Sequence, residues 1–318
     1  MARFLLRRIL FGALVMFIVS VAVFILFFVA SDPGAAFCGK ICTPDRLVLI
    51  KRRLGLDRSY VAQYGHFLWR LLHGDLGFSF ASQVSVNSKI KQGLPATASL
   101  AIGAAVLWLL MGIPIGITAA TKPRSIRDRV ATLFALTGLS LPSFVVGLVL
   151  LNLLFFQLTT RGLKWFPPSG YVPLTEDPAQ WARHLLLPWF TLAFITAASY
   201  ARLTRGSMLE VLGEDYIRTA RAKGLPERTV VYKHALRSAL TPIVTLLGID
   251  VATLLGGTVV TERLFGLQGI GQSALQAVNQ SDLPVVLGTV LIAALFIVIA
   301  NIVVDIVYAA LDARVRLA

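Results

Sequence analysis

Long stretches of this chain carry no charge, and that decides most of what it can fold into. No charged residue occurs in 9–30, 96–121 or 130–160, and a shorter run, 185–201, also has none. Asp250 alone interrupts 238–260, and Asp305 alone interrupts 283–311. About 20 apolar residues cross the ~30 Å hydrocarbon of a bilayer as a helix, and a helix satisfies its own backbone amides there. The expectation is an all-α integral membrane protein with six transmembrane helices, the fourth near the lower length limit. Composition agrees: 56% of the 318 residues are hydrophobic, 14% are charged, and the mean hydropathy is +0.76. A soluble domain of this size would carry about a quarter charged residues.

The net charge of +14 raises nucleic acid as a partner. The charges, however, lie between apolar spans and form no stripe on a folded domain, so they read as topology and contact with anionic lipid headgroups. With the N-terminus inside, the cytoplasmic segments hold Arg3, Arg7 and Arg8, then Lys122, Arg124, Arg127 and Arg129. Eight more lie between Arg202 and Arg237, followed by Arg314 and Arg316. The short outer loops hold only Arg161, Lys164, Arg183 and Arg263. Both termini are therefore expected in the cytoplasm. The first apolar run is longer than the 7–15 residues or so of a signal peptide and five more spans follow, so it is read as an uncleaved span.

The first outer loop, 31–95, contains the only cysteines, Cys38 and Cys42. An oxidising compartment permits a disulfide there, contributing about 2 kcal/mol by chain entropy. Two free thiols or a metal pair are the other readings, and two thiolates without a nearby His or further Cys make a poor zinc site. The segment Gly34-Ala-Ala-Phe-Cys-Gly39-Lys40 imitates a phosphate loop, but Ile41 stands where magnesium needs Ser or Thr, and the segment is outside. ATP-driven activity would thus require a separate subunit. After Thr43-Pro44 an amphipathic run leads to Gly55, and a second helix is expected over 59–72. Its Tyr60, Tyr64, Phe67, Leu68 and Leu71 recur at helical spacing. They make either a face packed on the bilayer or the spans, or a docking platform for an external partner.

Asp250 and Asp305 are carboxylates in hydrocarbon, where each needs a partner, water or a cavity. Asp250 is a candidate for the translocation pathway; alternatively it pairs with an Arg or caps amides near Gly248. Asp305, with Tyr308 one turn later, reads as a structural polar group serving packing or a subunit interface. Pro114, Pro142, Pro188 and Pro242 fall within or beside spans and are able to bend them, and Gly112-x-x-x-Gly116 permits close helix contact. The histidines His66, His73, His184 and His234 are dispersed, without Asp or Glu at metal-ligand spacing, so neither a catalytic constellation nor a metal site is expected.

One polar island remains, 215–242. Its first helical run ends at Gly224 and Pro226 opens another, the chemistry of a helix–turn–helix. The sequence Asp215-Tyr-Ile-Arg-Thr-Ala-Arg-Ala-Lys-Gly-Leu, with His234-Ala-Leu-Arg-Ser-Ala-Leu-Thr-Pro242, resembles the cytoplasmic loop of ABC importer permeases of the dipeptide/oligopeptide family. Leu54-Gly-Leu-Asp57 and Gly74-Asp-Leu-Gly-Phe-Ser-Phe80 resemble that family's first outer loop, and Leu94-Pro-Ala-Thr97 the start of its second span. Gly256-Gly257 through Glu262 and Phe265, then Asn301 to Tyr308 with Leu311-Asp312 and Arg314, are similar to its C-terminal third. The chain departs from the general pattern at Arg218-Thr219-Ala220, Gln268-Gly269-Ile270-Gly271 and Asp312-Ala313-Arg314.

The resemblance implies a type I importer permease with an extracytoplasmic helical insertion after the first span. Residues 1–30 would be the tail and first span, 31–95 the extracytoplasmic loop domain, 96–312 the transmembrane domain and 313–318 a cytoplasmic tail. Within the transmembrane domain the spans would run over about 96–121, 130–158, 185–203, 238–260 and 283–311, with a coupling loop at 202–237. It also implies a bacterial cytoplasmic membrane location and a cargo of peptides, although relatives carry nickel complexes, haem or oligosaccharides. The implied partners are a second homologous permease subunit, two cytoplasmic ATPase subunits that bind ATP and Mg, an extracytoplasmic substrate-binding protein and membrane lipid. Coupling to the ATPase falls on Glu214, Asp215, Tyr216, Arg218, Thr219, Ala220, Arg221, Ala222, Lys223, Gly224 and Leu225, with Ala220 and Ala222 small enough for close approach. An ion-coupled secondary transporter is the competing class; it leaves this loop unexplained.

Overall fold

The computed structural model describes residues 2–29, 34, 43–53, 56–79, 81–167, 169–255 and 258–311. Cys38 and Cys42, the imitation phosphate loop at Gly39 and Lys40, Gly256 and Gly257, and Asp312 with the basic Arg314 and Arg316 lie outside the described residues. Six helices are long and apolar enough to cross a membrane: Leu6–Val29, Val86–Thr121, Ser143–Thr160, Pro178–Leu212, Glu227–Leu255 and Leu283–Ile306.

The second and fourth spans form the central pair. Ser85 starts the second by accepting from the Ser88 amide at 3.2 Å. Asp177 starts the fourth by accepting from the Ala179 and Gln180 amides at 2.9 and 3.0 Å, with Pro178 in the first turn. Their backbones meet where side chains are smallest. A Cβ added to Gly112 would fall 2.9 Å from the Ala197 carbonyl oxygen, and one on Gly116 would fall 2.7 Å from that of Ala201. The Gly-x-x-x-Gly motif is thus the crossing point of the pair. Trp108, Ala193, Ala197, Tyr200 and Ile243 fill the middle layer, in which the fifth span joins them.

The third span departs from the sequence expectation. Instead of one rod over 130–160, helix Ile126–Ser140 ends and helix Ser143–Leu150 begins after an extended Leu141 and Pro142. Proline disfavours the helical conformation in the residue before it, which accounts for the break. The fourth span is longer than expected because its helix continues past the bilayer-length core at both ends, carrying Arg183, Arg202 and Arg205. The fifth begins at Glu227 and ends at Leu255, so the second arm of the expected helix–turn–helix is the start of this span. Val259–Leu264 is a separate short helix.

Outside the spans, helices Pro44–Arg53 and Tyr60–Leu72 stand where expected, the second capped by Ser59. Tyr64 and Phe67 pack on the first span: the Tyr64 ring lies 5.2 Å from that of Phe24, Phe67 lies 5.9 Å from it, and the Tyr64 hydroxyl is 2.9 Å from Ser20 Oγ. Strands Phe78–Ser79 and Val84–Ser85 make a two-stranded hairpin. It is tied to the sixth span because Ser79 donates to the buried Asp282 carboxylate, with Lys89 Nζ 3.8 Å from the same oxygen.

Candidate coupling surface and membrane carboxylates

The helix Asp215–Ala222 is short, and its placement follows from two side chains. Ile217 and Ala220 are buried, and the rest of the helix is exposed. They enter a cluster with Ile117 of the second span, Met208 of the fourth and Val230 and Val231 of the fifth. Ala220 therefore packs on the chain's own core, while Ala222 faces outward. Tyr216 donates to Ser238 Oγ at 3.0 Å, fastening the helix to the fifth span. Gly224 ends it at φ +75°, a conformation that is costly for a residue with a side chain. This confirms the glycine-terminated turn expected from the sequence.

The charges on this surface are engaged to different degrees. Arg221 donates to both oxygens of Glu227, at 2.8 and 3.2 Å, bracing the turn. Arg218 reaches Asp215 at 3.2 Å, but both are so exposed that the pair contributes between nothing and about 1 kcal/mol. No described partner engages Lys223. The outward face thus presents Arg218, Thr219, Ala222 and Lys223 beside Tyr216 and Leu225, which are 45% and 37% exposed.

A second ion pair braces the same end of the molecule. Arg205, in the last part of the fourth span, donates from Nε to Asp128 Oδ1 at 2.6 Å and from Nη2 to Oδ2 at 3.0 Å. The Arg124 amide adds a bond at 2.9 Å. The Arg205 bonds foremost, then the Arg124 amide, hold the Asp128 carboxyl below the usual carboxylate range. Sequence reading missed this pair because Arg205 reads simply as one of many inside charges. The available signal was Asp128 itself, a lone acid among Lys122, Arg124, Arg127 and Arg129.

Asp250 lies in the fifth span, and among the described residues no arginine pairs with it and no amide near Gly248 is capped by it. Its Oδ2 accepts from the hydroxyl of the buried Tyr200 at 2.8 Å, while the carboxylate remains half-buried. Asp305 pairs with Arg8 at 3.0 Å, joining the first and last spans. Nothing is described for the Tyr308 side chain.

A third acid was missed. Glu262 has no exposed surface. Thr97 of the second span donates to its Oε1 at 2.7 Å, and the Gln272 amide to its Oε2 at 2.8 Å. Thr97 in turn accepts from the Ile270 amide at 2.9 Å. The carboxylate sits at the start of helix Ile270–Asn279, where unpaired amides and the helix dipole favour an anion. A side chain on Gly269 would run into this carboxylate. Among the described residues, no group of three His, Cys, Asp or Glu is placed to hold a metal ion.

A family model described as the binding-protein-dependent transport system inner membrane component matches residues 112–317, and a companion N-terminal model matches residues 1–101. A putative peptide transport system permease protein of Brucella abortus is 41% identical over 317 residues, covering 99% of each chain. The dipeptide transport system permease protein DppB of Escherichia coli K12 is 38% identical over 343 residues, again covering 99% of each. Among solved structures, an inward-facing MetNI methionine ABC transporter chain matches with a TM-score of 0.52 at 20% identity. That match covers 70% of this chain and 96% of the other, and it carries the fold alone.

Proposed function

The chain belongs to the family of binding-protein-dependent transport system inner membrane components, and from that premise we propose that it forms half of a peptide-importing pore with a second, homologous permease subunit. The Brucella and Escherichia relatives are named for peptide and dipeptide transport, which favours peptides over nickel complexes, haem or oligosaccharides as cargo. Two cytoplasmic ATPase subunits bind ATP and Mg and supply the energy. This chain supplies the passage and the coupling and performs no bond chemistry. It sits in the bacterial cytoplasmic membrane with both termini inside. Residues 31–95 are the extracytoplasmic part, offering a surface to a substrate-binding protein, and 96–312 form the transmembrane domain.

In this reading the outward-facing residues between Glu214 and Leu225 receive the ATPase, while the buried Ile217 and Ala220 seat the helix. The observation that carries it is the two-sidedness of helix Asp215–Ala222. Its inner face, Ile217 and Ala220, shares one core with the second, fourth and fifth spans, while its outer face is exposed. A push on the outer face is therefore transmitted to three spans at once. Gly224→Asp tests the assignment. No atom lies within 4 Å of a Cβ added there, so the substitution strains the turn and adds a carboxylate to the docking face without a clash. Membrane insertion stays at the parent level, while peptide uptake and uptake-coupled ATP hydrolysis are lost in proteoliposomes holding the ATPase and binding protein. Normal coupled uptake defeats the assignment.

Asp250 is read as a polar station on the pathway for the positively charged end of a peptide. Its support is a half-buried carboxylate in mid-span whose described partner is a single hydroxyl. Asp250→Asn raises the KM for peptide uptake with unchanged expression; unchanged kinetics return the residue to a packing role.

A further inference from the structure

A hollow of about 430 Å³ lies between the C-terminal end of the first span and the N-terminal end of the sixth, roofed by the outer helices. Its apolar wall includes Phe27 and Phe28 from the first span and Leu287 and Leu291 from the sixth. These are terminal turns of membrane-length helices, so the hollow sits where hydrocarbon gives way to headgroups. Exposed Ile25 and Leu26 extend the apolar surface beside it.

The polar lining has an opposite character. Arg52, Arg58 and Arg70 all contribute. Arg70 is bound to Asp75 at 2.8 Å, whereas neither Arg52 nor Arg58 has a carboxylate partner among the described residues. Gln63, also in the lining, is 8% exposed. Its Nε2 donates to the Leu56 and Arg58 carbonyls at 3.2 and 2.7 Å, which fixes the amide orientation. Its Oε1 is buried with no hydrogen-bond partner among the described residues, an arrangement that normally needs explaining.

We propose that this hollow binds one anionic phospholipid whose headgroup carries hydroxyl donors, the chemistry of phosphatidylglycerol. The acyl chain lies against the phenylalanine and leucine wall. Two guanidiniums suit the phosphodiester, and a headgroup hydroxyl supplies the donor that Gln63 Oε1 lacks. A peptide would gain little from a wall set at hydrocarbon depth. The inference does not depend on how the coupling helix works.

Native mass spectrometry of the purified full chain in detergent tests it, with phosphatidylglycerol, phosphatidylcholine, inorganic phosphate and a dipeptide added separately and in competition. One phosphatidylglycerol per chain is expected to stay bound and to resist displacement by phosphate or dipeptide. The double substitution Arg52→Gln/Arg58→Gln should weaken retention by about tenfold or more. Leu287→Trp, which fills the apolar wall without altering charge, should weaken it too, and provides the decision if the double variant does not fold. Equal retention of phosphatidylcholine, undiminished retention in the variants, displacement by inorganic phosphate, or occupancy by the dipeptide instead would each overturn the proposal.

Discussion

At the scale of residues, Thr97 and Glu262 are 165 positions apart and yet share a buried hydrogen bond. Thr97→Val leaves a carboxylate oxygen and the Ile270 amide without this partner, in a fully buried place. Leaving a buried group unsatisfied costs about 1–3 kcal/mol. The variant should therefore melt measurably lower in detergent micelles, and Thr97→Ser, which keeps the hydroxyl, should recover most of the loss. A Thr97→Val protein that melts like the parent contradicts this account. The segments with Thr97 and Glu262 were legible as family-like pieces of sequence, and the one with Ile270 as a departure from that pattern. Their meeting was not, because Glu262 beside Arg263 looks like an ordinary loop pair and nothing local marks it as buried. Tyr200 escaped notice for a similar reason: a tyrosine in an apolar run reads as core, and only the fold brings its hydroxyl to Asp250.

At the scale of elements, what was legible is what local chemistry dictates. The helix start at Ser59, the turn at Gly224 and the run Leu283–Leu311 follow from neighbouring residues alone, whereas the second and fourth spans start earlier than expected, at Val86 and Pro178. Nor does the break in the third span follow from neighbouring residues alone. Pro114, Pro188 and Pro242 remain inside helices, so a proline by itself did not say which span would divide. Both halves around Pro142 pack on the fourth span, Gly138 at Ala198 and Gly147 at Thr191, but Gly147 also abuts Leu264 of the short helix Val259–Leu264. That division belongs to tertiary packing. The helix–turn–helix was likewise half legible, since its first arm is a separate helix and its second arm runs on into the fifth span. The outer helix Tyr60–Leu72 resolved one open alternative at the Tyr64 and Phe67 positions, which pack on the first span. Its Val61, Trp69 and Leu72 remain exposed.

For the whole molecule, the ends of the chain and its middle do different work. The first and sixth spans are joined by Arg8 and Asp305 and carry the outer helices, whereas the second, fourth and fifth spans converge beneath helix Asp215–Ala222. Arg205 with Asp128 and Arg221 with Glu227 stiffen that convergence from either side. A rigid knob seated on three spans is what a lever requires, and a flexible loop would absorb the push instead. The central claim is that this knob is where the ATPase touches the permease. The direct measurement places a photo-reactive benzoylphenylalanine at Ala222, on the outward face, and separately at Val61 on the outer helix, in the assembled complex. The account predicts a cross-link from position 222 to an ATPase subunit whose yield changes when ATP is added, and none from position 61. A complex that transports peptide while giving no ATPase adduct at 222 would contradict it.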